Sequence, residues 1–556
     1  MNIKKTNSLV ELFFNKLKEI DNNKLFSKWL KPNNTRQYSW EEISEKILKL
    51  SSKIKTLITA EDRCILLSEN RPEWLIADIA IMNAGGISVP IFTTYAASDY
   101  EYIIKDCDPT IIIVSNNDQL KKIKSFINNK KIISFEILET KSFYVEDIYK
   151  ENIESNVNVN LKRNMPACII YTSGTSGNPK GVVLSHGGIL SNCEGALTVL
   201  EPLIKKKIPI FLTWLPLSHS YEHTVQFIQI LIGAKIFYAE SLEKLIPNMG
   251  EAKPTIMTAV PRFYQNLFTK ININFNKQTG LKKFLIFKTI QLGKKNLKKE
   301  KFNLREKFIN LLCDNFVRKK IQKQFGGNLQ AFISGGGALD QKIGEFLNSI
   351  GLPTLQGYGL TEASPVVSCN PLHLVKVETV GPPFSTNQVK IAEDGEIIVK
   401  GENIMLGYWN KKKETQEIIK NGWLHTGDIG EIDDQGYLKI TDRKKDIIVN
   451  LGGDNISPSK IENLLCLNEN IKQSFVYGDK KNYLVALIVP ENLSSKEEFN
   501  IIIEKLNKNL NLIEKIKKFI VIDKNFTIEN RMLTPTLKLK RKEIIKNYKY
   551  ELENLY

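Results

Sequence analysis

Residues 169–186, IIYTSGTSGNPKGVVLSH, combine hydroxyls, glycines and a lysine in a pattern that suits a phosphate group. The apolar runs 167–171 and 182–184 flank the polar part, and short apolar runs of this kind predict buried strands. The loop between them offers N–H and O–H donors and the cation Lys180, whereas a plain Gly/Ser connector is the alternative. It is not a Walker loop, because Pro179 stands where the second glycine belongs. We therefore predict a phosphate-binding loop.

Two glycine-rich segments further along the chain suit a nucleotide. ISGGGALD, 333–340, ends an apolar strand in three glycines, which permit close approach to a flat or phosphorylated ligand; a plain strand-to-helix turn explains them equally. In LQGYGLTEASP, Tyr358 lies between two glycines, where its ring can contact a base. Thr361 and Glu362 follow and suit a phosphate and its Mg²⁺, although Glu362 alone is also typical of a helix N-terminus.

Three segments near the C-terminus add charged groups. In GWLHTGDIGEID, Asp428 follows a Thr-Gly turn and can accept hydrogen bonds from two vicinal hydroxyls. In ITDRKKDIIVNLGGDNISP, Arg443 is a permanently charged donor beside a predicted domain junction. LTPTLKLKRKE places Lys538 directly after a proline-ordered turn. If their segments stood alone, Arg443 and Lys445 would be ordinary surface charges, and Lys538 would belong to a solvated basic tail.

The order and spacing of these motifs make the chain similar to the adenylate-forming superfamily. YTSGTSGNPKG is nearly the family's signature loop, and QGYGLTE, HTGD and DRKKD follow in the family's order. The resemblance covers about residues 35–545 and is closest to the long-chain fatty-acid–CoA ligases. The segment LTPTLKLKR resembles the terminal motif of those ligases. It implies two steps: a carboxylate attacks the α-phosphate of ATP·Mg²⁺ to give acyl-AMP and pyrophosphate, and the thiol of coenzyme A then displaces AMP.

The resemblance implies a nucleotide site assembled from several motifs. The residues implied to enclose the β- and γ-phosphates are Thr172, Ser173, Gly174, Thr175, Ser176, Gly177 and Lys180. The residues implied to line the adenine are Gly336, Gly337 and Ala338. Tyr358 would stack on the adenine, Asp428 would bind the ribose hydroxyls, and Arg443 would assist.

The same resemblance assigns the catalytic groups. Thr361 would contact the α-phosphate, and Glu362 would hold Mg²⁺. Lys538 matches the lysine that bridges the substrate carboxylate and the α-phosphate in the first step. Leu537 stands where the family usually has glycine, and Lys540 two positions on is the competing candidate.

The acyl pocket and the hinge also follow from the resemblance. His219 matches the family's aromatic-or-His position at the entrance of the acyl pocket, whose chain-length preference we expect residues 214–238 and 334–337 to set. Lys445 matches the hinge of a C-terminal domain that rotates between the two steps. That rotation would bring Gly452 and Gly453 to the border of the pantetheine tunnel.

The segment LPLSHSYEHT, residues 215–224, contains Glu222 and His223 shortly after His219. Glu222 follows His219 as in the long-chain ligases. We interpret His223 as a core histidine that a backbone partner satisfies, and the five histidines of the chain predict no zinc site because they do not converge in a ligand spacing.

The elements that must position these residues alternate in type along a chain of 556 residues, which is too long for one core. Helical and strand-like patterns alternate over 38–265 and again over 328–375, whereas 380–442 shows short strands with turns. We predict an α/β fold: a large N-terminal domain, 1–443, of two α/β layered subdomains plus a small β subdomain. A small mobile α+β C-terminal domain, 444–556, follows and carries the catalytic lysine.

Lys, Asn and Ile are abundant along the whole chain, which indicates a compositional bias rather than one binding surface, but one segment is more basic than the rest. The net charge is +17, and residues 282–308 are the densest basic segment, with apolar residues at helical spacing. A solvated helix with its apolar side on the core is the plainer interpretation, and docking on an anionic membrane is the alternative. Nucleic acid is disfavoured, because aromatic residues do not interleave with the charges.

Composition also bears on location and on competing functions. Seven cysteines without a C-x-x-C pair, the absence of an 18-residue apolar run and Glu11 near the start favour a cytoplasmic protein. Because long-chain acyl substrates partition into bilayers, we also expect reversible contact with the inner membrane surface. Fatty acid, ATP and coenzyme A are the expected partners, and an acyl carrier protein is the alternative acceptor because the basic surface suits an acidic partner. A non-catalytic protein of this fold is disfavoured, because every charged motif residue is present.

Overall fold

The computed structural model describes residues 3–32, 35–151, 156–172, 178–205, 208–452, 454–491, 496–534 and 537–556. Its strands are β1 (Leu25–Trp29), β2 (Gln37–Ser39), β3 (Arg63–Leu67), β4 (Ile87–Pro90), β5 (Ile111–Val114), β6 (Lys131–Ser134), β7 (Phe143–Tyr144), β8 (Pro166–Thr172), β9 (Lys180–Ser185), β10 (Ile210–Thr213), β11 (Lys235–Tyr238), β12 (Ile256–Ala259), β13 (Ala331–Ser334), β14 (Thr354–Gly359), β15 (Val366–Cys369), β16 (Asn387–Ile391), β17 (Glu396–Gly401), β18 (Gly407–Tyr408), β19 (Ile419–Lys420), β20 (Trp423–Ile432), β21 (Leu438–Arg443), β22 (Ile448–Val449), β23 (Asn455–Ile456), β24 (Ile471–Tyr477), β25 (Leu484–Pro490) and β26 (Ile516–Val521).

The helices are α1 (Leu9–Leu17), α2 (Trp40–Lys55), α3 (Pro72–Asn83), α4 (Ala97–Cys107), α5 (Asn117–Ile123), α6 (Val145–Ile148), α7 (His186–Ile204), α8 (Ser220–Leu231), α9 (Leu245–Ala252), α10 (Pro261–Asn276), α11 (Gly280–Leu297), α12 (Leu304–Cys313), α13 (Lys319–Gln324), α14 (Gln341–Ser349), α15 (Lys412–Ile418), α16 (Pro458–Leu465), α17 (Lys496–Asn507), α18 (Arg541–Asn547) and α19 (Lys549–Glu553). A π-helical segment, Asp314–Arg318, joins α12 to α13. Among the described residues, no helix is long and apolar enough to span a bilayer.

Two eight-stranded sheets form the large N-terminal region. The first has the order β15-β14-β13-β12-β10-β11-β1-β2, and the second has the order β18-β9-β8-β4-β3-β5-β6-β7. Their central strands are parallel and their inner residues are buried, as in β5, where all residues are buried. Strands covered by helices on both faces need such unbroken apolar runs. The predicted pair of α/β subdomains is therefore confirmed.

The division of the chain between the two sheets differs from its division into sequence segments. The first sheet takes β1 and β2 from near the N-terminus together with β10–β15, and the second takes β3–β9 together with β18. The segment 38–265, which reads as one alternating pattern, thus contributes to both sheets. The reason is that hydrophobic periodicity reports the type of an element and not its partner across the sheet.

The predicted small β subdomain is present between residues 387 and 443. It contains the five-stranded sheet with the path β16-β17-β20-β19, in which β21 pairs with β20. β18 leaves this subdomain and pairs antiparallel with β9, with Gly407 opposite Val183 and Tyr408 opposite Val182. The chain of the β subdomain is therefore tied to the second large sheet at this point.

The C-terminal region is α+β, as predicted. Its sheet has the order β24-β25-β26, and β22 and β23 form a separate hairpin. It contacts the N-terminal region in several places: Leu467 packs against the core cluster around Tyr264, Gln265 Nε2 donates to Asn463 Oδ1 at 3.4 Å, and the Arg531 guanidinium donates to the Ser98 hydroxyl. The boundary at 443/444 and the mobility of this domain stay predictions.

Candidate active site

The parallel strands of the first sheet bring several predicted site segments to one edge. β10, β12, β13 and β14 are parallel neighbours, so their carboxyl ends lie at the same edge. The segment containing His219 follows β10, the glycine-rich loop 335–338 follows β13, and Thr361 and Glu362 follow β14. Ligands of open α/β sheets bind at this edge, where the strands leave polar loops. The topology therefore explains why these distant segments meet.

A hydrogen-bonded cluster surrounds Thr361 and Glu362. The Thr361 hydroxyl lies 3.0 Å from the Ser220 hydroxyl at the start of α8. The Glu362 carboxylate accepts a hydrogen bond of 2.7 Å from the Tyr408 hydroxyl, and the backbone carbonyl of Glu362 accepts one from Met405 N–H at 2.9 Å. Because Tyr408 belongs to β18, this cluster joins the edge of the first sheet to the second sheet.

Lys180 lies on the other side of Tyr408. Its ammonium group is 2.8 Å from Glu414 Oε2 and 4.9 Å from the centre of the Tyr408 ring. Tyr408 thus connects the lysine of the predicted phosphate loop to the predicted Mg²⁺ ligand Glu362. Thr172 ends β8 directly opposite Lys180 in β9, as the sequence predicts for a loop between two strands. Ser173, Gly174, Thr175, Ser176 and Gly177 lie outside the described residues.

Asp428, Tyr358 and Arg443 form the second cluster. The Tyr358 hydroxyl donates to Asp428 Oδ2 at 2.7 Å, and Arg443 Nε lies 3.5 Å from Asp428 Oδ1. Asp428 and Arg443 face each other across β20 and β21. Burial raises the pKa of Asp428, and the charges of Arg443 and Lys538 together with the Tyr358 hydroxyl oppose that shift. Asp428 Oδ1, the oxygen that does not accept from Tyr358, therefore lies near the positive charge of Arg443, and the charge of Lys538 also acts on this carboxylate.

Lys538 enters this cleft from the C-terminal region. The Lys538 side chain is exposed to solvent, yet many protein atoms lie around it. This is the environment of a group inside an open cleft. Burial, followed by the charge of Arg443, lowers the pKa of Lys538, whereas Asp428, Glu362 and Asp446 oppose the lowering. The charge of the predicted catalytic lysine therefore interacts with the predicted ribose ligand Asp428 and the predicted Mg²⁺ ligand Glu362.

The loop around Lys538 distinguishes it from Lys540. Lys538 N–H donates to Thr534 Oγ1 at 3.0 Å, and Thr534 N–H donates to the Lys538 carbonyl at 2.8 Å, so the lysine is fixed in a closed turn. Lys540 instead occupies the N-cap position of α18. Leu537 adopts φ +62°, a conformation that glycine prefers. The leucine therefore takes the backbone shape of the glycine that it replaces.

His219 is the N-cap residue of α8, and the charge of Lys538 acts on its ring. Its Nδ1 accepts a hydrogen bond from Tyr221 N–H at 3.2 Å, and its ring centre lies 6.3 Å from that of Phe92. Burial, followed by the charge of Lys538, lowers the pKa of His219 to about 3. The ring is therefore neutral at pH 7 and offers an uncharged wall near Lys538. The next turn of α8 buries Glu222, whose carboxylate accepts from Thr258 Oγ1 at 2.7 Å.

The prediction for His223 is wrong in its partner. The side chain is buried as expected, but its Nε2 pairs with Asp78 Oδ2 at 2.8 Å and its Nδ1 lies 3.8 Å from Cys168 Sγ, whereas a backbone partner was predicted. Burial opposes the charged ring, yet the charge of Asp78 raises the pKa of His223 to about 10. This pair ties α8, which carries His219 at its start, to α3.

The Asp78–His223 pair is expected to make stability depend on pH. Because the folded-state pKa of His223 is raised, its contribution is complete below the unfolded value near 6.5 and is lost as the pH rises towards about 10. Asp78→Asn is expected to lower the free energy of unfolding by about 3 kcal/mol at pH 6 and by much less at pH 9.5. Urea unfolding of both proteins at the two pH values measures this difference. An equal loss at both values would contradict the ion pair.

The remaining predicted residues have more local surroundings. Gly336 adopts φ +78° and is followed by the exposed Gly337 and Ala338, so the loop is open towards the edge of the sheet. Lys445 is exposed in a turn in which the Arg443 carbonyl accepts from two later N–H groups. The nearest atoms to a side chain at Gly452 belong to its own hairpin, and Gly453 lies outside the described residues. The hinge and tunnel roles stay predictions.

Sequence reasoning missed three residues of the site: Tyr408, Glu414 and Ser220. Tyr408 touches both the predicted Mg²⁺ ligand and the phosphate-loop lysine. The available signal was a glycine directly before an aromatic pair in LGYWN, a pattern that permits close backbone approach. The pairing of β18 with β9 joins residues more than two hundred positions apart, so no local sequence pattern predicts it.

The donor set fits a nucleoside triphosphate and Mg²⁺. Three cations, Lys180, Arg443 and Lys538, lie beside carboxylates, as a site for a polyanion with its metal requires. Glu362 is the residue that would hold Mg²⁺, because its carboxylate offers hard oxygen ligands and interacts with the charge of Lys538. When bound, Mg²⁺ would neutralise charge on the phosphates.

Comparisons with known proteins agree with this site. A family model described as AMP-binding enzyme matches residues 21–409, and a model described as AMP-binding enzyme C-terminal domain matches residues 445–556. The chain is 30% identical to long-chain-fatty-acid–CoA ligase 5 of Rattus norvegicus, over 99% of this chain and 88% of that protein. It is 28% identical to long-chain-fatty-acid–CoA ligase FadD15 of Mycobacterium bovis, over 90% of this chain and 88% of that protein.

A solved structure supports the fold. The crystal structure of ATP-bound MatB from Rhodopseudomonas palustris superposes with a TM-score of 0.75 at 21% identity, covering 98% of this chain and 99% of that chain. Together with the two family models, this accounts for nearly all the elements described above. The chain therefore belongs to the family of AMP-binding enzymes and is an AMP-forming acid–thiol ligase, with ATP, Mg²⁺ and coenzyme A as its cofactors.

Proposed function

We propose that this ligase activates long-chain fatty acids and transfers the acyl group to coenzyme A. The observation that carries the proposal is that the charge of Lys538 interacts with the carboxylates Asp428 and Glu362 and also acts on the neutral ring of His219. An acid that reaches Lys538 past His219 brings its chain along an uncharged wall, as an aliphatic substrate requires. The names of the curated relatives support the same substrate class.

The residues divide the first step among themselves. Lys538 would hold the substrate carboxylate against the α-phosphate with its positive charge, which offsets the repulsion between two anions. Thr361 would donate its hydroxyl to an α-phosphate oxygen, because Ser220 fixes its orientation. Asp428 would orient the ribose, and the Tyr358 ring would contact the base, because their mutual hydrogen bond holds both in place.

The second step would follow after the C-terminal domain has turned. Lys538 and Gly452 belong to the same predicted domain, and in this structure the charge of Lys538 interacts with those of Asp428 and Glu362. The observed orientation therefore suits adenylate formation. Rotation about Lys445 would remove the lysine and present Gly452 to the coenzyme A thiol, so that one site serves both reactions.

The proposal is tested with a panel of fatty acids. Pyrophosphate release is followed with ATP and Mg²⁺ over acids of about six to twenty carbons, with and without coenzyme A. For an apolar chain pocket, kcat/KM is expected to rise about fourfold for each added methylene until the pocket is filled, which corresponds to about 0.8 kcal/mol per CH₂. Benzoate and malonate serve as control acids.

Three outcomes separate the possibilities. Coenzyme-A-dependent turnover that peaks at long chains supports the proposal. Turnover that is flat with chain length, or highest with a control acid, would overturn the substrate class. Adenylate that forms but is consumed only when an acyl carrier protein is added would identify the other acceptor.

A further inference from the structure

The helices α11 and α12 form a hairpin that is attached to the core by one side only. Thr289, Leu292 and Gly293 of α11 are buried, and a Cβ on Gly293 would lie 2.4 Å from Ser349 Cα of α14, so the two helices are in close contact. The Cys313 thiol donates to the Leu285 carbonyl at 3.6 Å, which places α12 antiparallel beside α11. The inner side of the hairpin is therefore firmly packed.

The outer side of this hairpin exposes large apolar side chains. The residues of this apolar patch, which are 47% to 84% exposed, are Leu281, Phe284, Phe287, Leu304, Phe308, Leu311 and Phe316. In α12 they recur at i, i+4 and i+7, the spacing of a single helix face, yet that face points to solvent. The expectation that the apolar side of residues 282–308 packs on the core is therefore wrong for four of its ten apolar residues, Phe284, Phe287, Leu304 and Phe308. Several large apolar side chains exposed on two neighbouring helices are typical of a binding surface.

The patch lies within the most basic part of the chain. Residues 280–320 contain thirteen lysines and arginines against three acidic residues, which is +10 of the total net charge of +17. Two of the acids are already paired, Glu306 with Lys295 and Asp314 with Arg318. Four exposed lysines form no ion pair with any residue that the structure describes: Lys282, Lys283, Lys298 and Lys299. The surface therefore has positive charges that are available to bind an anionic partner.

We propose that the α11–α12 hairpin docks on an anionic lipid bilayer, with its phenylalanines and leucines at the level of the headgroups and its lysines against lipid phosphates. The combination of a basic face with exposed Phe and Leu on an in-plane helix suits this interface. A nucleic acid fits less well, because Lys288 lies over the Phe284 and Phe287 rings at 5.9 and 6.0 Å and occupies the surface on which bases would stack. The inference does not depend on the proposed substrate.

Vesicle sedimentation of the full chain tests the proposal. Wild type is expected to bind phosphatidylcholine vesicles with about 30% phosphatidylglycerol at least tenfold more tightly than pure phosphatidylcholine, and to be released by about 0.5 M NaCl. The triple variant Phe284→Gln, Phe287→Gln, Phe308→Gln is expected to lose about tenfold or more in binding, because glutamine keeps the helix but removes the inserting rings.

A charge-matched pair of variants separates a local site from the overall charge. The first variant changes Lys282, Lys283, Lys298 and Lys299 to glutamine. The second changes Lys472, Lys505, Lys508 and Lys517, four exposed lysines of the C-terminal domain, to glutamine. Only the first is expected to weaken binding to the anionic vesicles, by about tenfold or more. Ligase turnover in vesicle-free buffer is expected to be unchanged in all variants, which shows that each is folded.

Several results would overturn the proposal. Equal binding of wild type to neutral and anionic vesicles would exclude it, and so would equal loss in the two lysine variants. If vesicles fail to recruit wild type while sedimentation velocity shows a dimer that the phenylalanine variant cannot form, the patch binds a second copy of the chain instead. Loss of ligase activity with intact vesicle binding would count against the proposed function and not against docking.

Discussion

Lys538→Ala is expected to lower the rate of adenylate formation by about a hundredfold to a thousandfold, whereas Lys540→Ala stays within about threefold of wild type. The reason is geometric. The charge of Lys538 interacts with Asp428 and Glu362, so its removal would leave two approaching anions without a common partner. Lys540 occupies the N-cap position of α18, at the start of a different element.

The measurement is single-turnover release of pyrophosphate in the absence of coenzyme A. The control uses chemically prepared acyl-AMP: Lys538→Ala is expected to convert it to the thioester at a nearly normal rate, because the lysine would act only in the first step. A variant that merely misfolds would fail in both assays. The assignment would be refuted if Lys540→Ala lost adenylate formation and Lys538→Ala retained it.

Glu362→Gln is expected to lower turnover by about a hundredfold and to raise the Mg²⁺ concentration needed for half-maximal rate by about tenfold. Glutamine keeps the size of the side chain and an oxygen that can accept from the Tyr408 hydroxyl, so the loss would come from the missing charge. Initial rates measured over a range of Mg²⁺ concentrations give both values.

Tyr408→Phe is the matched control for this position. It removes the hydroxyl that orients Glu362 and leaves the carboxylate in place, so a smaller loss of about tenfold is expected, without a large shift in the Mg²⁺ dependence. An unchanged Mg²⁺ requirement in Glu362→Gln would show that another residue holds the metal. Equal effects in both variants would show that Tyr408 acts in more than orientation.

Much of the fold follows from local patterns in the sequence. The apolar runs around residues 63–67, 111–114, 235–238 and 256–259 predict strands, and all of them are strands of the two large sheets. Each run is short, mostly apolar and followed by a turn signal, which is the pattern of a buried strand. Because β10, β13 and β14 are parallel strands of the first sheet, the segments that follow them lie at the same edge. For these elements the local signal and the global fold agree.

Other features depend on contacts between distant residues and have no local signal. The Tyr408 hydroxyl reaches Glu362 because β18 pairs with β9, and the pairing of strands far apart in the chain is not written in their periodicity. Asp78 lies in a helix whose residues are all buried, so nothing marks it as the partner of His223. The expectation of a backbone partner failed for this reason.

The basic hairpin shows how an amphipathic pattern can mislead. Leu304, Phe308 and Leu311 have the spacing of a buried stripe, but they are exposed because α12 has the core on its other side. Periodicity establishes that a helix has an apolar face, but only the structure shows what that face contacts. Here the exposed face is the basis of the docking proposal.

The central claim is that this cleft joins a long-chain acid to the α-phosphate of ATP, and direct detection of the adenylate tests it. Wild type is mixed with a long-chain fatty acid, ATP and Mg²⁺ without coenzyme A, and the products are identified by mass spectrometry. The account predicts about one acyl-AMP per active site together with pyrophosphate, discharged as acyl-CoA and AMP when coenzyme A is added, and none from Lys538→Ala. Formation of ADP and an acyl phosphate, or no acyl-AMP from any long-chain acid, would contradict it.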